Sequence, residues 1–487
     1  MREPYVKATA TGLILCATVL FATCGRVRHE PPQQPVPRTS SVPTALSPEQ
    51  KSWIARAEKH EKDGWIYLHI EGTPRERGFQ YGYLLADNIK ESLRVTREVW
   101  LRESGMEWPW IVGESKKIFR GKVDAELLAE IDGIVEGLGA AGIPTTRDEM
   151  VAYNAYIELS GYWWPEQKKS MDVHSPDARK QSCSSFIATG SMTADGGIVL
   201  GHNTMTSYAE ADCNIILDLV PEKGYRILMQ ASPGWIHSGT DFFITSAGIV
   251  GSETTIGDFS GFDDGGTPEF VRMRRATQDA STIDQWCDIM KKGNNGGYAN
   301  AWLVGDVKTN EIARLEIGLK YTGLEKTKDG YFVGSNIAEN VKILRLETDE
   351  HETDIRRSGV ARRVRWKQLM RRDAGKITLE MGELYEADHY DSYLGRNSLS
   401  WRALCAHGDY DTLDLYLPFE PGGTVDAKVV DSRMAKSMSF AARWGAGCGR
   451  PFNAQEFLKL HPQFEWMEGI LKSRASYPWT KFQAGER

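Results

Sequence analysis

The sequence predicts an α+β protein in which two stacked antiparallel sheets are covered by helices. Two observations predict it. Hairpin-like runs begin at Cys183 and come in two groups, and helical segments precede, separate and follow those groups. With 487 residues the chain can bury a large core, as one big domain or two ordinary ones. A net charge of -7 is mild for this length and excludes the basic excess of a nucleic-acid binder.

Residues 1–24 read as a leader, in which basic residues precede the apolar run ATATGLILCATVLFATC, short for a membrane span. FATC loosely resembles a lipoprotein cleavage box ending at Cys24, with Phe21 and Thr23 at the positions usually held by Leu and Gly or Ala. Lipidation of Cys24, a plain signal peptide and an uncleaved anchor all fit. The expectation is an exported protein, either periplasmic, tethered to a membrane through Cys24, or secreted. Residues 25–50 form a Pro-, Ser- and Gln-rich linker.

Residues 51–182 are expected to be mainly helical. SPEQKSWIARAEKHEK has a Ser-Pro start signal and predicts a helix, and GWIYLHIEG predicts a strand. TPRERGFQYGYLLADNIKESLRVTREVWLRE predicts one long amphipathic helix, with further helices in DAELLAEIDGIVEGLGAAG and TRDEMVAYNAYIELSGYWW. Trp108, Trp110, Trp163 and Trp164 are either a Trp-rich core or aromatic walls for an apolar substrate.

From residue 183 to the end the texture is that of hairpins. SSFIATGSMTADGGIVLGHNT, then CNIILDLV with YRILMQAS, then DFFITS with IVGSETTI make the first group. ANAWLVGDV with EIARLEIG, and LEKT with YFVGSN, make the second. PEFVRMRRATQDASTIDQWCDIMKKG and GVARRVRWKQLMRRDAG are the helical layers, and the tail from Ile377 is less regular. The basic stretch from Arg356 to Lys376 reads as a solvated or acid-paired helix face, the sharper alternative being contact with anionic lipid headgroups.

No GxSxG elbow, HExxH or P-loop occurs, and nothing in the sequence supports a Ser/His/Asp triad. The five cysteines after the leader are an odd number, so one free thiol is expected in an oxidising compartment, and Cys405 with Cys448 is one possible pair. No CxxC or metal-type Cys/His spacing appears, so no zinc or other metal site is expected.

Cys183 stands where the first strand begins. As a core residue it is a small apolar filler. If the Ser182-Cys183 bond is cut, Cys183 becomes a new N-terminus whose α-amine, with a reference pKa of about 7.7 to 8.0, sits beside its own sulfur. One residue then supplies both nucleophile and base.

GWIYLHIEGTPRERGFQYGYLLA, CSSFIATGSMTADGGIVLGHNT, SPGWIHSGTDFFITSAGIVGSETTIG, NNGGYANAWLVGD and GGTVDAKVVDSRMA together resemble the phospholipase B-like family. The early motif and the internal cysteine are also similar to isopenicillin N acyltransferase-like autoproteolytic hydrolases, and both groups are N-terminal-nucleophile (Ntn) hydrolases. The resemblance implies an Ntn αββα sandwich made by cleavage before Cys183, with the helical N-terminal part kept as a small chain. It implies a small-molecule amide or a lipid ester as substrate, and no cofactor.

The resemblance places His202 and Asn203 on the strand beside Cys183. His202 stands where bile-salt and penicillin V acylases carry Arg, and Met205 where they carry an Asp that binds the amine, so His202 or Asn203 would orient the amine instead. Asn300, a polar residue inside an apolar run, is the candidate oxyanion donor, with Asn295 a weaker one that leans towards a turn residue. Glu253 and Thr254 are candidate pocket residues at a strand end, and Trp235, His237 and Asp241 candidate entrance residues, a plain loop being the alternative. The rival class is a non-catalytic envelope protein that binds lipid or peptide.

Overall fold

The computed structural model describes residues 45–171, 182–239 and 241–486. The leader, most of the linker and the stretch just before Ser182 lie outside the described residues.

The strands in chain order are β1 (Glu58–Lys62), β2 (Trp65–Gly72), β3 (Ser182–Thr189), β4 (Val199–Ser207), β5 (Ile215–Pro221), β6 (Ile227–Ala231), β7 (Phe242–Thr245), β8 (Ile249–Thr255), β9 (Asn300–Asp306), β10 (Glu311–Ile317), β11 (Thr322–Thr327), β12 (Gly330–Gly334), β13 (Tyr390–Asp391), β14 (Arg396–Asn397), β15 (Gly422–Asp431), β16 (Ser439–Trp444) and β17 (Thr480–Gln483). Nine form a large sheet in the order β1-β2-β5-β6-β7-β8-β9-β10-β11, and six form a smaller one in the order β12-β3-β4-β15-β16-β17. β2 and β5 run parallel, while the neighbours on either side of them pair antiparallel.

Period-two alternation sorts the side chains into layers. Ile187, Leu200, Ile216, Leu228, Phe242, Val250 and Leu303 share one apolar cluster with Val425 and Phe440, and so fill the space between the sheets. Their neighbours Ile215, Leu217, Met229 and Phe243 pack outward against helices of the N-terminal part and those at Glu269–Asp279 and Ile283–Lys291. Phe186, Val199 and Val429 face the other way, onto Trp366, Leu369 and Tyr385 of the helices Ser358–Arg372 and Leu379–Glu386. The expected two-sheet sandwich with helices on both outer faces is what the chain forms.

Four local expectations need correction. EKHEK is a strand, because Asp63 and Gly64, both at positive φ, turn the chain back so that Glu58–Lys62 pairs with β2. The long helix after Thr73 is two, Pro74–Leu84 and Ala86–Ser104, broken at Leu85, whose φ of -108° and ψ of 22° leave the helical region. LEKT and YFVGSN are consecutive but not a hairpin, since β11 ends the large sheet and β12 ends the small one. The chain crosses there because β12 pairs with the free side of β3. The tail, read as irregular, contains the ten-residue strand β15 at the centre of the small sheet.

The ERGFQYG stretch is explained by packing. A Cβ on Gly78 would lie 2.0 Å from the Glu130 carbonyl oxygen, and one on Gly82 would lie 2.2 Å from that of Ile134. The two glycines, one helical turn apart, let this helix touch the backbone of Ala125–Ala140. Buried Arg77 seals the contact through Nε to Glu130 at 2.6 Å, and Arg274 reaches the same carboxylate at 2.9 Å. The tryptophan cluster is likewise core: Trp110 packs on Trp163 and Trp164, and Trp100 on Trp164.

Candidate functional site

Cys183 is the second residue of β3 and lies opposite Thr204 of β4. It is 1% exposed. Ser185, two residues on, bonds Ser252 of the large sheet at 2.7 Å, whereas Ser184 accepts from Trp366 of the outer helix at 2.9 Å. Alternation therefore turns Cys183 towards the inter-sheet space. Its backbone is held at both ends. The N–H donates to Asn336 Oδ1 at 3.2 Å, and the carbonyl accepts from Arg362 Nη1 at 2.6 Å. Arg362 Nη2 also donates to Asn336 Oδ1 at 2.7 Å, and Asn336 Nδ2 donates to the Thr255 carbonyl at 2.7 Å.

The thiol faces acids. Cys183 Sγ, an Asp241 oxygen and a Glu253 oxygen lie within 4.8 Å of one another. Tyr298 Oη is 2.9 Å from Asp241 and 2.8 Å from Glu253, and receives a bond from Thr255 Oγ1 at 3.0 Å. A phenol has one proton and two carboxylates are within its reach, so a second proton must be shared at this spot when both contacts are bonds. Burial, with each carboxylate repelling the other, explains how. Burial pushes Asp241 up to about 6, and burial together with the Asp241 charge holds Glu253 well above the usual range. At neutral pH the pair retains one proton. Burial, with the Asp241 charge second, raises the Cys183 thiol to about 12.

Behind the thiol lies a buried ion pair. Lys428 Nζ bonds Asp426, Thr204 Oγ1 at 2.7 Å and Gln230 Oε1 at 2.5 Å. This gives DAKVVDS a place: it carries the ammonium that fixes the residue opposite Cys183.

Of the residues singled out from the sequence, the structure gathers Cys183, Asp241 and Glu253 directly. His202 is adjacent. Its Nε2 contacts the Glu253 carbonyl at 2.9 Å, and burial, aided by Lys428, holds the ring well below its usual pKa and so neutral. Asn203 points to the opposite face, where Nδ2 donates to the carbonyls of Glu386 and Leu404 at 2.9 and 2.8 Å. It is not positioned to orient a Cys183 amine, because neighbours on a strand face opposite ways. Asn300 is buried, with both amide atoms unbonded to protein, and pairs with Thr255. It connects to Cys183 through Thr255 and Asn336. Asn295 is structural, donating to Glu158 at 2.6 Å. Thr254 faces β12, since a Cβ on Gly334 would meet its Oγ1 at 2.4 Å. Trp235 stacks on His237 at 5.2 Å, and burial, with Arg274, lowers His237 to about 3.

Sequence reasoning missed Asn336, Arg362 and Tyr298. Arg362 was hidden in the basic run, most of which pairs with acids: Arg356 with Asp354, Arg357 with Asp258, Arg363 with Glu339 and Arg365 with Asp388. Arg362 alone of these is fully buried beside the thiol.

A cavity of about 30 Å³ adjoins the site, with Thr204, Tyr153, Trp235, Glu210 and Asp212 in its walls. Burial, then Glu103, raises Glu210 to about 8. A larger cavity of about 600 Å³, lined by Phe262, Asp263, Asn294 and Lys320 among others, includes none of these residues. Potential metal ligands converge at two places among the described residues. One is Cys183 with Asp241 and Glu253, and the other is a separate group, His389, Cys405, His407 and Cys448.

Two sheets face to face with helices on both outer sides make an αββα sandwich, with a thiol at the start of an interior strand of the smaller sheet. Residues 122–320 match the family model described as Phospholipase B, which bears out the resemblance read from the sequence. An uncharacterized protein of Archaeoglobus fulgidus is 23% identical over 51% of this chain and 42% of its own length. The phospholipase B-like 2 protein of Homo sapiens is 30% identical over 27% of this chain and 25% of its own, and phospholipase B of Crotalus adamanteus 26% over 50% and 45%. The chain thus matches less than half the length of each of these relatives. Among solved structures, a conjugated bile acid hydrolase of Clostridium perfringens aligns with 54% of this chain and 89% of its own, at 8% identity and a TM-score of 0.34. No helix among the described residues is long and apolar enough to cross a membrane.

Proposed function

We propose that the protein is an exported, self-processing cysteine hydrolase that cleaves a linear amide through a thioester on Cys183. The observation that supports this most strongly is the setting of Cys183. Its thiol lies against a carboxyl pair that holds one proton, while Asn336 and Arg362 clamp its own N–H and carbonyl.

A thiol raised to about 12 is a poor nucleophile, so attack is concerted with proton loss. In the precursor Sγ attacks the Ser182 carbonyl carbon and its proton passes to the Asp241–Glu253 pair. The C–N bond breaks as the Cys183 nitrogen takes that proton, leaving a Ser182 thioester and a free α-amine. Water then releases the Ser182 carboxylate and restores the thiol. The same sequence follows with substrate, the α-amine now being the base, Asn336 Oδ1 its acceptor and Asn300 the donor to the oxyanion. The adjoining space of about 30 Å³ has room for water and not for an acyl group, so substrate entry would need this space to widen.

The phospholipase B match favours a second reading, hydrolysis of a phospholipid ester at the same thiol. Glu210 and Asp212 in the cavity wall are both raised by burial, Glu210 to about 8, so at neutral pH Glu210 keeps its proton and offers a hydrogen bond to a neutral leaving group.

Intact-mass spectrometry of the mature protein and of Cys183→Ala tests the proposal. The expected result is two fragments meeting at Ser182-Cys183 for the wild type and one whole chain for the variant. A wild type that stays whole and turns over neither amides nor lipid esters would leave a non-catalytic binding shell.

A further inference from the structure

We propose that His389, Cys405, His407 and Cys448 form a structural zinc site. Their four ligand atoms all lie within 4.8 Å of one another. His407 Nε2 is the hub, 3.2 Å from His389 Nε2, 3.6 Å from Cys405 Sγ and 3.5 Å from Cys448 Sγ. A ring nitrogen has one lone pair or one proton and cannot satisfy three such neighbours by hydrogen bonding. A central cation satisfies all four. With Zn–S of about 2.3 Å and Zn–N of about 2.05 Å, a tetrahedron has edges of about 3.3 Å for N to N and about 3.6 Å for N to S. The observed separations are those edges.

The surroundings fit the same reading. The Arg450 N–H donates to Cys448 Sγ at 3.4 Å, as suits a thiolate, and His407 Nδ1 is 4.0 Å from Asp409. Two thiols and two imidazoles in tetrahedral array select zinc among common divalent ions. The ligands come from three segments that meet closely. The Cys405 N–H donates to the Asp388 carbonyl at 2.9 Å, and a Cβ on Gly447 would lie 2.2 Å from the Glu386 carbonyl oxygen. The sequence expectation of no metal rested on spacing along the chain, and here the ligands are 16, 2 and 41 residues apart by their numbers. The site sits behind β4, because Asn203 bonds the carbonyls of Glu386 and Leu404, next to two of these segments. Zinc would tie the segments together as a staple.

The test uses the full chain, purified under reducing conditions without chelator. Elemental analysis is expected to give one zinc per chain. Replacement by cobalt(II) is expected to give the intense visible bands of tetrahedral coordination with thiolate charge transfer. His389→Ala and Cys448→Ser, both at half-buried positions, are expected to weaken zinc binding by more than the roughly 10–100-fold seen for outer-shell changes. If either fails to fold, the cobalt spectrum of the wild type still decides. A protein that takes up neither metal, or one recovered from its own compartment with a Cys405–Cys448 disulfide, overturns the proposal.

Discussion

Cys183 and the Cys405–Cys448 pair are all free thiols in the same sandwich, yet their surroundings are opposite. Cys183 is a single sulfur among carboxyl groups, a setting that discourages the thiolate until a reaction removes the proton. Cys405 and Cys448 are two sulfurs among imidazoles, a setting that welcomes a cation. The difference teaches that the neighbours, and not the cysteine, decide what a buried thiol does.

The sharpest way to break this contrast is to disarm the acids. Asp241→Asn is expected to slow self-cleavage by about 10²- to 10⁴-fold, the usual worth of a positioned base, followed as fragment appearance by mass spectrometry. Cys448→Ser should leave that rate within a few-fold. Equal loss in both variants would mean the two thiols serve one site.

Next in size is the thermodynamic cost of keeping Asp241. Its carboxyl is raised from 3.8 to about 6, so the folded state binds the extra proton. Stability from this group is full below the unfolded value and is lost as pH rises through about 6. Asp241→Asn is therefore expected to be more stable than wild type at neutral pH, by about 1–3 kcal/mol, and to show a flatter stability profile between pH 4 and pH 7, read by denaturant titration. The self-cleavage rate of the wild type should fall as pH drops through the same window.

Asn203 connects the two regions. Asn203→Ala leaves two buried carbonyls without a donor and is expected to cost about 1–3 kcal/mol of stability. Because its side chain faces away from Cys183, fragment formation in the folded fraction should change little. A smaller effect tests the surface. Arg75→Ala breaks an exposed pair with Glu136 and should shift stability by no more than about 1 kcal/mol in thermal melts.

The layered fold was legible because most hairpins alternate apolar and polar residues about clear turns. β15 was not, because Asp426 and Lys428 interrupt its apolar run and are themselves buried against each other. β1 was misread because EKHEK is charged on both faces and its exposed side carries no apolar period. Within the site, Cys183 stood out in sequence at a strand start and Glu253 at a strand end, whereas Asp241 was read as an entrance residue with a plain loop as the alternative. Arg362 looked like its arginine neighbours, and only the fold brings it to the Cys183 carbonyl. The four residues of the second cluster lie on three loops, where no periodic signal exists to be read.

The parallel contact of β2 with β5 has a consequence for the life of the molecule. β2 comes before Cys183 in the chain and β5 after it, yet they lie side by side within the large sheet. A cut at Ser182-Cys183 would leave two chains woven into one fabric. The uncut chain carries the instructions for that weave as a unimolecular process. The cut pair would have to find each other again by collision. Maturation would thus act as a one-way valve, with a precursor that recovers from denaturation and a finished molecule that, once unravelled, does not.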